Sequence, residues 1–242
     1  MDLYISVFKR KACRDFTQEP LSDETLEEIF QAIEAFQPLY PDVPLSYRLV
    51  SQTKGLFRVQ APHYLIVSGE GRDGEKESCG FIFQQLTLWF NAHGIGSVWL
   101  GVAKEKKHGR NQRDLMTLAF GMTKGSVDRR VDEFNRKPIE QITNATDDLC
   151  IRAAHLAPSG LNLQPWYWEK EKERVLLYEK KLCFPLSLVY PLSHVDLGIA
   201  LCHYALALGY IGKPFRFKRV DGQEAAHKKK GYRLFGELSQ MV

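Results

Sequence analysis

Apolar residues recur along this chain at two spacings, and those spacings sort it into helices and strands. Leu26, Ile29, Phe30 and Ile33 recur at helical intervals after Ser22 and Asp23, either of which can cap a helix. Asp23, Glu24 and Glu27 then bring negative charge to the positive end of that helix. Pro38, Pro41 and Pro44 end the pattern. Tyr64-Leu65-Ile66-Val67 is a short apolar run that reads as a buried strand. Phe81 to His93 is apolar on most faces of a helix. It stops at Gly94 and leads through Gly96 into a short strand, Val98-Trp99-Leu100.

The same order then returns. Ile142-Thr143-Asn144 precedes a helix from about Asp147 to Leu156. Trp166-Tyr167-Trp168 and Val175 to Tyr178 read as strands, Asp196 opens a second mostly apolar helix to Gly209, and Pro214 to Phe217 reads as a strand. Leu21-Ser22-Asp23 matches Ile142-Thr143-Asn144 at an offset of 142 − 21 = 121, and Ala32 matches Ala153 at the same offset. The pattern predicts an α+β protein of two related halves, residues 1–125 and 126–242, in one compact unit with the two apolar helices packed at its centre.

Composition narrows the partners. The 242 residues carry 33 − 29 = +4 formal charges, a balance that would not repel an anionic ligand. The basic runs Lys104 to His108 and His227 to Lys230 lack the interleaved aromatics of single-strand nucleic-acid binders and read as solvated loops. The five cysteines, an odd number with no CxxC spacing, read poorly as a disulfide framework or zinc site and suit reduced core thiols of a cytoplasmic protein. Met1 to Phe8 has no apolar signal-peptide core, and Gly198 to Gly212 is too short to span a bilayer. None of these features calls for nucleic acid, a membrane or a metal as a partner.

Three segments could carry chemistry. In Ala157-Pro158-Ser159-Gly160-Leu161-Asn162-Leu163-Gln164-Pro165-Trp166, Pro158 and Gly160 break the preceding helix into a tight turn. Ser159, Asn162 and Gln164 then surround exposed backbone, an arrangement able to hydrogen-bond a flat heterocycle. On spacing alone, an ordinary polar helix end reads equally well. In Arg10-Lys11-Ala12-Cys13-Arg14, the two arginines would share one face of a helix and their guanidiniums suit a phosphate; a solvated basic helix start is the alternative. Arg136-Lys137-Pro138 means little alone. Asp196 and His203, seven apart on one helix face, read as a capping carboxylate and a buried polar residue rather than an acid–base pair.

Together these segments resemble the FMN-dependent nitroreductase family. Arg10 to Phe16 (RKACRDF) resembles the family's RRSxRxF motif, with Pro20 following. Ala157 to Trp166 matches its APSxxNxQPW turn nearly residue for residue. Gly94 to Gly101 (GIGSVWLG) and the arginine after Ala119-Phe120-Gly121, here Arg136, fit two further family features. The stretch His194 to His203 is similar to a subgroup in which one chain carries two half-repeats. Ala12 stands where the motif has serine, which removes a phosphate hydrogen bond on the order of 1–2 kcal/mol.

The resemblance implies a nitroreductase-like fold and a single-chain pseudo-dimer. Ordinary members are homodimers that divide the two motifs between subunits. Here Phe36-Gln37-Pro38-Leu39-Tyr40 replaces the polar turn in the first half, and no RxxxR run opens the second. One FMN per chain and a monomer are therefore expected, with a further homodimer as the alternative. The resemblance places the phosphate on Arg10, Lys11, Ala12, Arg14 and Arg136. It places the ribityl chain and ring on Pro158, Ser159, Gly160, Asn162 and Gln164, and the flavin N5 edge near the backbone of Leu100 and Gly101. Either Lys54 or Arg58 would supply a further basic contact. NAD(P)H would donate electrons and a small nitroaromatic or quinone would accept them, with no catalytic side chain. Alternatives are a non-catalytic flavin-binding protein, or another flavin reaction on the same fold such as reductive dehalogenation. FMN is expected over FAD, because the arginine group suits one terminal phosphate and the chain is read as lacking a GxGxxG segment for a dinucleotide pyrophosphate.

Overall fold

The structure is a computed structural model that describes residues 3–55, 59–101, 103–105, 113–184, 192–220 and 231–239. Arg58 and the basic runs at Lys106 to His108 and His227 to Lys230 lie outside the described residues. The chain forms two units, Met1–Glu133 and Phe134–Val242.

In the first unit a short α1 (Leu3–Val7) leads to α2 (Asp23–Ala35). Ser22 is the residue that caps α2, its side chain accepting the Thr25 N–H at 3.2 Å, so Asp23 falls inside the first turn. Ile29 and Ile33 form its buried stripe. There follow β1 (Ser46–Val50), β2 (Thr53–Lys54), β3 (His63–Ser68), α3 (Glu75–Ala92), β4 (Gly96–Trp99), β5 (Lys104–Glu105) and β6 (Asp114–Gly121). The main sheet runs β1-β3-β6-β4 with every neighbour antiparallel. β2 and β5 form a separate two-stranded piece.

The second unit contains α4 (Leu149–His155), β7 (Trp166–Lys170), β8 (Arg174–Lys180), α5 (Ser193–Tyr210), β9 (Phe217–Arg219) and β10 (Tyr232–Ser239). Asp148 caps α4 by accepting the Cys150 and Ile151 N–H groups. The sheet order is β7-β8-β10-β9, again wholly antiparallel. Apart from α1 and the β2–β5 piece of the first unit, each unit's described residues read helix, two strands, an eighteen-residue helix, two strands, with the last strand inserted between the second and third. The sequence match at an offset of 121 does not align the two helix caps, Ser22 of α2 and Asp148 of α4, which lie 148 − 22 = 126 residues apart. In the second unit Trp168 stacks on Tyr204 of α5, ring centroids 5.2 Å apart and nearly parallel.

The structure departs from the hydrophobic pattern in places. α3 begins at Glu75, six residues before Phe81, because its polar first turn is buried rather than solvated. α5 likewise begins at Ser193, whose hydroxyl donates to Glu179 at 2.7 Å. The strand expected over Pro214 to Phe217 lies instead at Phe217–Arg219, the stretch that pairs in register with β10. β1, β6 and β10 were not anticipated. Among the described residues, no helix is long and apolar enough to cross a membrane.

Candidate functional site

The segment after α4 is the most constrained backbone of the second unit. Leu156 ends the helix, Ser159 is extended, and Gly160 to Asn162 close a single tight turn. Leu161, Asn162 and Gln164 all have positive φ (52°, 57° and 45°), and they are the only non-glycine residues among those described that do. Asparagine tolerates that region; for leucine and glutamine it costs roughly 1–2 kcal/mol each. Such strain persists where surrounding contacts over-determine the backbone.

Those contacts are present. Within the turn, the Asn162 N–H donates to Ser159 O and the Leu163 N–H to Gly160 O, both at 3.0 Å, and Ser159 Oγ accepts the Gln164 N–H at 2.9 Å. Arg136 grips it from outside: Nη1 donates to Asn162 Oδ1 and Nη2 to Leu156 O, each at 3.0 Å. Asn162 Nδ2 donates back to Asn135 O at 2.7 Å. The Lys137 N–H donates to Gln164 Oε1 at 3.0 Å, and its ammonium donates to Leu163 O and Gln164 O. Burial, then the nearby Lys180 charge, holds the Lys137 pKa below its ordinary value. His155 Nε2 lies 2.6 Å from Lys137 O; burial is the main cause of its lowered pKa. The structure therefore gathers Arg136, Ser159, Gly160, Asn162 and Gln164 into one network, and Leu161 projects from it with 59% of its surface exposed.

Asp196 also belongs to this network, which its position on α5 did not reveal. It is not a cap: it lies in the first turn of α5, 1% exposed, and accepts the Gly160 N–H through both oxygens at 3.1 and 3.3 Å. His203 Nδ1 lies 3.0 Å from Ala153 O. The two side chains share a helix face, as expected, but each meets backbone of the α4 segment.

In the first unit, Arg10 to Phe16 is not helical. It is tied by bridges from Arg10 to Asp128, Ala12 to Ser97 and Phe16 to Thr123. Cys13 N–H donates to Ser97 O at 3.0 Å, which lays the segment beside β4. Gly96 makes this approach possible, for a Cβ there would stand 2.1 Å from Thr123 Cγ2 and 3.0 Å from Cys13 Cβ. Cys13 and Phe16 enter a core cluster with Tyr64, Val98 and Leu100. Arg10 is buried at 3% exposure, whereas Ala12 and Arg14 are exposed, so the arginines do not share the helical face expected of them. Arg129 was overlooked in the sequence. Its Nε donates to Arg10 O at 3.2 Å, adding a half-buried cation beside the segment. Burial raises the Cys13 pKa, while Lys11, Arg10 and Arg14 partly offset the shift.

Leu100 N–H donates to Thr117 O at 2.8 Å, so its own amide serves the sheet, and Gly101 begins the turn beyond it. Lys54 pairs opposite Lys104 in β2–β5, and Arg58 lies outside the described residues.

The chain does contain a GxGxxG run, Gly69-Glu70-Gly71-Arg72-Asp73-Gly74, between β3 and α3, which corrects the reading that no such segment exists. A dinucleotide fingerprint needs a βαβ unit with parallel strands and loop amides turned to a pyrophosphate. β3 is antiparallel to both neighbours. The Glu70 and Gly71 N–H groups donate to the Glu75 carboxylate, which fills the loop from within. Gly69 is required by that carboxylate, 2.1 Å from where a Cβ would stand, and Gly71 and Gly74 by positive φ. Among the described residues no cluster of metal-ligating side chains occurs.

A family model described as "Putative TM nitroreductase" matches residues 2–208. The crystal structure of a putative nitroreductase from Thermotoga maritima MSB8 superimposes with a TM-score of 0.67 at 20% identity. The match covers 99% of this chain and 94% of that one, and it extends the likeness of fold through β9 and β10. A putative NADH dehydrogenase/NAD(P)H nitroreductase from Parabacteroides distasonis matches at TM-score 0.47 and 18% identity, over 59% of this chain and 96% of that one. An FMN-dependent nitroreductase from Clostridium difficile R20291 matches at 0.40 and 15%, over 52% and 89%. No curated protein matches the sequence.

Proposed function

The chain belongs to the family of putative TM nitroreductases, and from that premise we propose that it is an FMN-dependent oxidoreductase passing electrons from NADH or NADPH to a small organic acceptor, such as a nitroaromatic or a quinone. The observation that carries this reading is the Ser159 to Gln164 turn. A flat heterocycle ringed with donors and acceptors is best met by polar groups fixed beforehand. This turn holds strained backbone in one shape through hydrogen bonds donated by Arg136 and Lys137 and one accepted by Asp196.

The residues present fit FMN by the chemistry of their donors. In the second unit, Pro158, Ser159, Gly160, Asn162 and Gln164 are the proposed partners of the ribityl chain and ring edge: the Ser159 hydroxyl, which accepts the Gln164 N–H, can still donate its proton, and Arg136 orients the Asn162 amide. In the first, Arg10, Lys11 and Arg14, with the backbone at Ala12, concentrate positive charge suited to one terminal phosphate. Gly101, after β4, is the proposed backbone partner of the ring's reactive edge. The Gly69 to Gly74 loop, filled by Glu75, is no rival site for a pyrophosphate, which favours FMN over FAD.

FMN held by these residues would supply the redox chemistry, a two-electron exchange between a nicotinamide and the acceptor. The chain binds and orients. It needs no side-chain nucleophile or acid, and none is assigned. The test is direct: the purified protein is expected to show a flavin absorption spectrum, to release FMN on heating, and to be bleached anaerobically by NADH or NADPH. A protein that neither carries nor takes up FMN overturns the reading. One that holds FMN but is never bleached is a flavin-binding protein without this activity.

A further inference from the structure

We propose that Asp196 is a positioning residue whose carboxylate, by holding the Gly160 amide, keeps the Ser159 to Gln164 turn in the shape that receives the flavin. The proposal rests on the functional reading above.

An aspartate in the first turn of a helix ordinarily faces water and answers the helix dipole. Asp196 does otherwise. It is buried, and both of its oxygens accept the N–H of Gly160, 36 residues earlier in the chain. Gly160 opens the tight turn that carries the left-handed Leu161 and Asn162 and, two residues on, the left-handed Gln164. Fixing the first amide of the turn fixes the direction in which that strained run leaves α4.

His203 ties α5 to the same segment at a second point. Two helical turns beyond Asp196, it meets Ala153 O. The pairs Asp196–Gly160 and His203–Ala153 are each seven residues apart on both segments and run in opposite directions. The α4 segment is thus clasped to one face of α5 at two points, one at the turn and one within the helix. Only the first acts on the turn. Asparagine at position 196 keeps an acceptor oxygen for Gly160, and leucine keeps volume but none. A hydrogen bond to a charged acceptor corresponds to ~10- to 100-fold in an equilibrium.

The experiment compares full-length wild type, Asp196→Asn, Asp196→Leu and His203→Leu by FMN titration, following quenching of flavin fluorescence, and by amide hydrogen exchange of residues 159–164 without ligand. Asp196→Leu is expected to bind FMN ~10- to 100-fold more weakly and to exchange the Gly160 amide at least ~10-fold faster. Asp196→Asn should stay within about threefold of wild type, as should His203→Leu even if its melting temperature falls as far. Asp196→Leu binding FMN like wild type overturns the proposal, as does His203→Leu losing as much affinity. If Asp196→Leu does not fold, the wild-type exchange decides: a Gly160 amide as unprotected as an open loop contradicts the clasp, and a protected one supports it. Wild type that binds no FMN sinks the flavin reading instead, and the exchange data still judge the clasp.

Discussion

Arg136 holds Asn162 by its side-chain oxygen, Nη1 to Oδ1 at 3.0 Å, while its other terminal nitrogen takes the carbonyl that ends α4. A planar fork that reaches a side chain and a backbone group at once fixes the angle between helix and turn. Lysine, a point charge without that fork, cannot do the same. Arg136→Lys and Arg136→Ala should both weaken FMN binding by roughly 1.5–3 kcal/mol, the range for a charge-assisted hydrogen bond. Lysine that restores full affinity would show that only the charge matters. Titration of both variants beside their melting temperatures separates loss of orientation from loss of fold.

Arg14 is exposed in the basic segment of the first unit. If it contacts the phosphate, Arg14→Ala should cost roughly 1.5–3 kcal/mol of FMN affinity, and the loss should shrink at high salt. Lys229→Ala, in the basic run near the end of the chain, serves as the control and should cost nothing measurable. Equal losses in the two variants would put the phosphate elsewhere.

Gly96 lets that segment lie against β4. A methyl group there would meet Thr123 Cγ2 and Cys13 Cβ too closely to be absorbed without movement. Gly96→Ala should therefore destabilise the protein by about 1–3 kcal/mol, as overpacked sites do, and weaken FMN through displacement of Arg10 to Arg14. Urea unfolding with and without FMN checks both effects. Unchanged stability would contradict the packing described here.

Glu179 sets the acid limit of the second unit. Burial by itself would raise its pKa. That is outweighed by His194 at 3.4 Å, by the Ser193 hydroxyl and by Arg233 at 2.6 Å, and the group titrates at about 2. A carboxylate depressed from 4.5 to about 2 on folding contributes on the order of 3 kcal/mol. That stability is present above the unfolded pKa, His194 adding its share only while its imidazole is protonated, and it drains away as pH falls through 4.5 toward 2. Glu179→Gln should be less stable at pH 7 and show a flatter acid limb over that window. Parallel stability curves for the two proteins would remove Glu179 from the account.

How much of this was legible in the sequence follows from range. The helix over Asp23–Ala35 and the strands over β3, β7 and β8 rest on local periodicity and could be read directly. The start of α3 could not. Glu75, Glu77 and Ser78 are polar yet buried, and what repays burying Glu75 is a loop whose amides it satisfies. β10 alternates, but a bulge between Leu234 and Gly236 breaks its period. At the site, the Ser159 to Gln164 turn announces itself through Pro158 and Gly160. Its braces do not. Asp196 lies 36 residues from Gly160 and Arg136 lies 26 from Asn162, and no spacing rule connects them. The Gly69 to Gly74 run makes the opposite point, for a familiar glycine pattern is used here to receive the protein's own carboxylate.

The central claim is that this chain is an FMN protein with one flavin. The four strands of the main sheet follow the same order in each unit, yet among the described residues the polar left-handed turn follows α4 alone. After α2 the chain continues as Phe36 to Tyr40, where Gln85 Nε2 donates to Gln37 O at 2.8 Å. The most direct measurement is a titration of flavin-free protein with FMN, read by fluorescence, with the mass of the complex taken by light scattering. The account predicts saturation at one FMN per chain. Saturation at two per chain, preference for FAD, or no binding at all would contradict it.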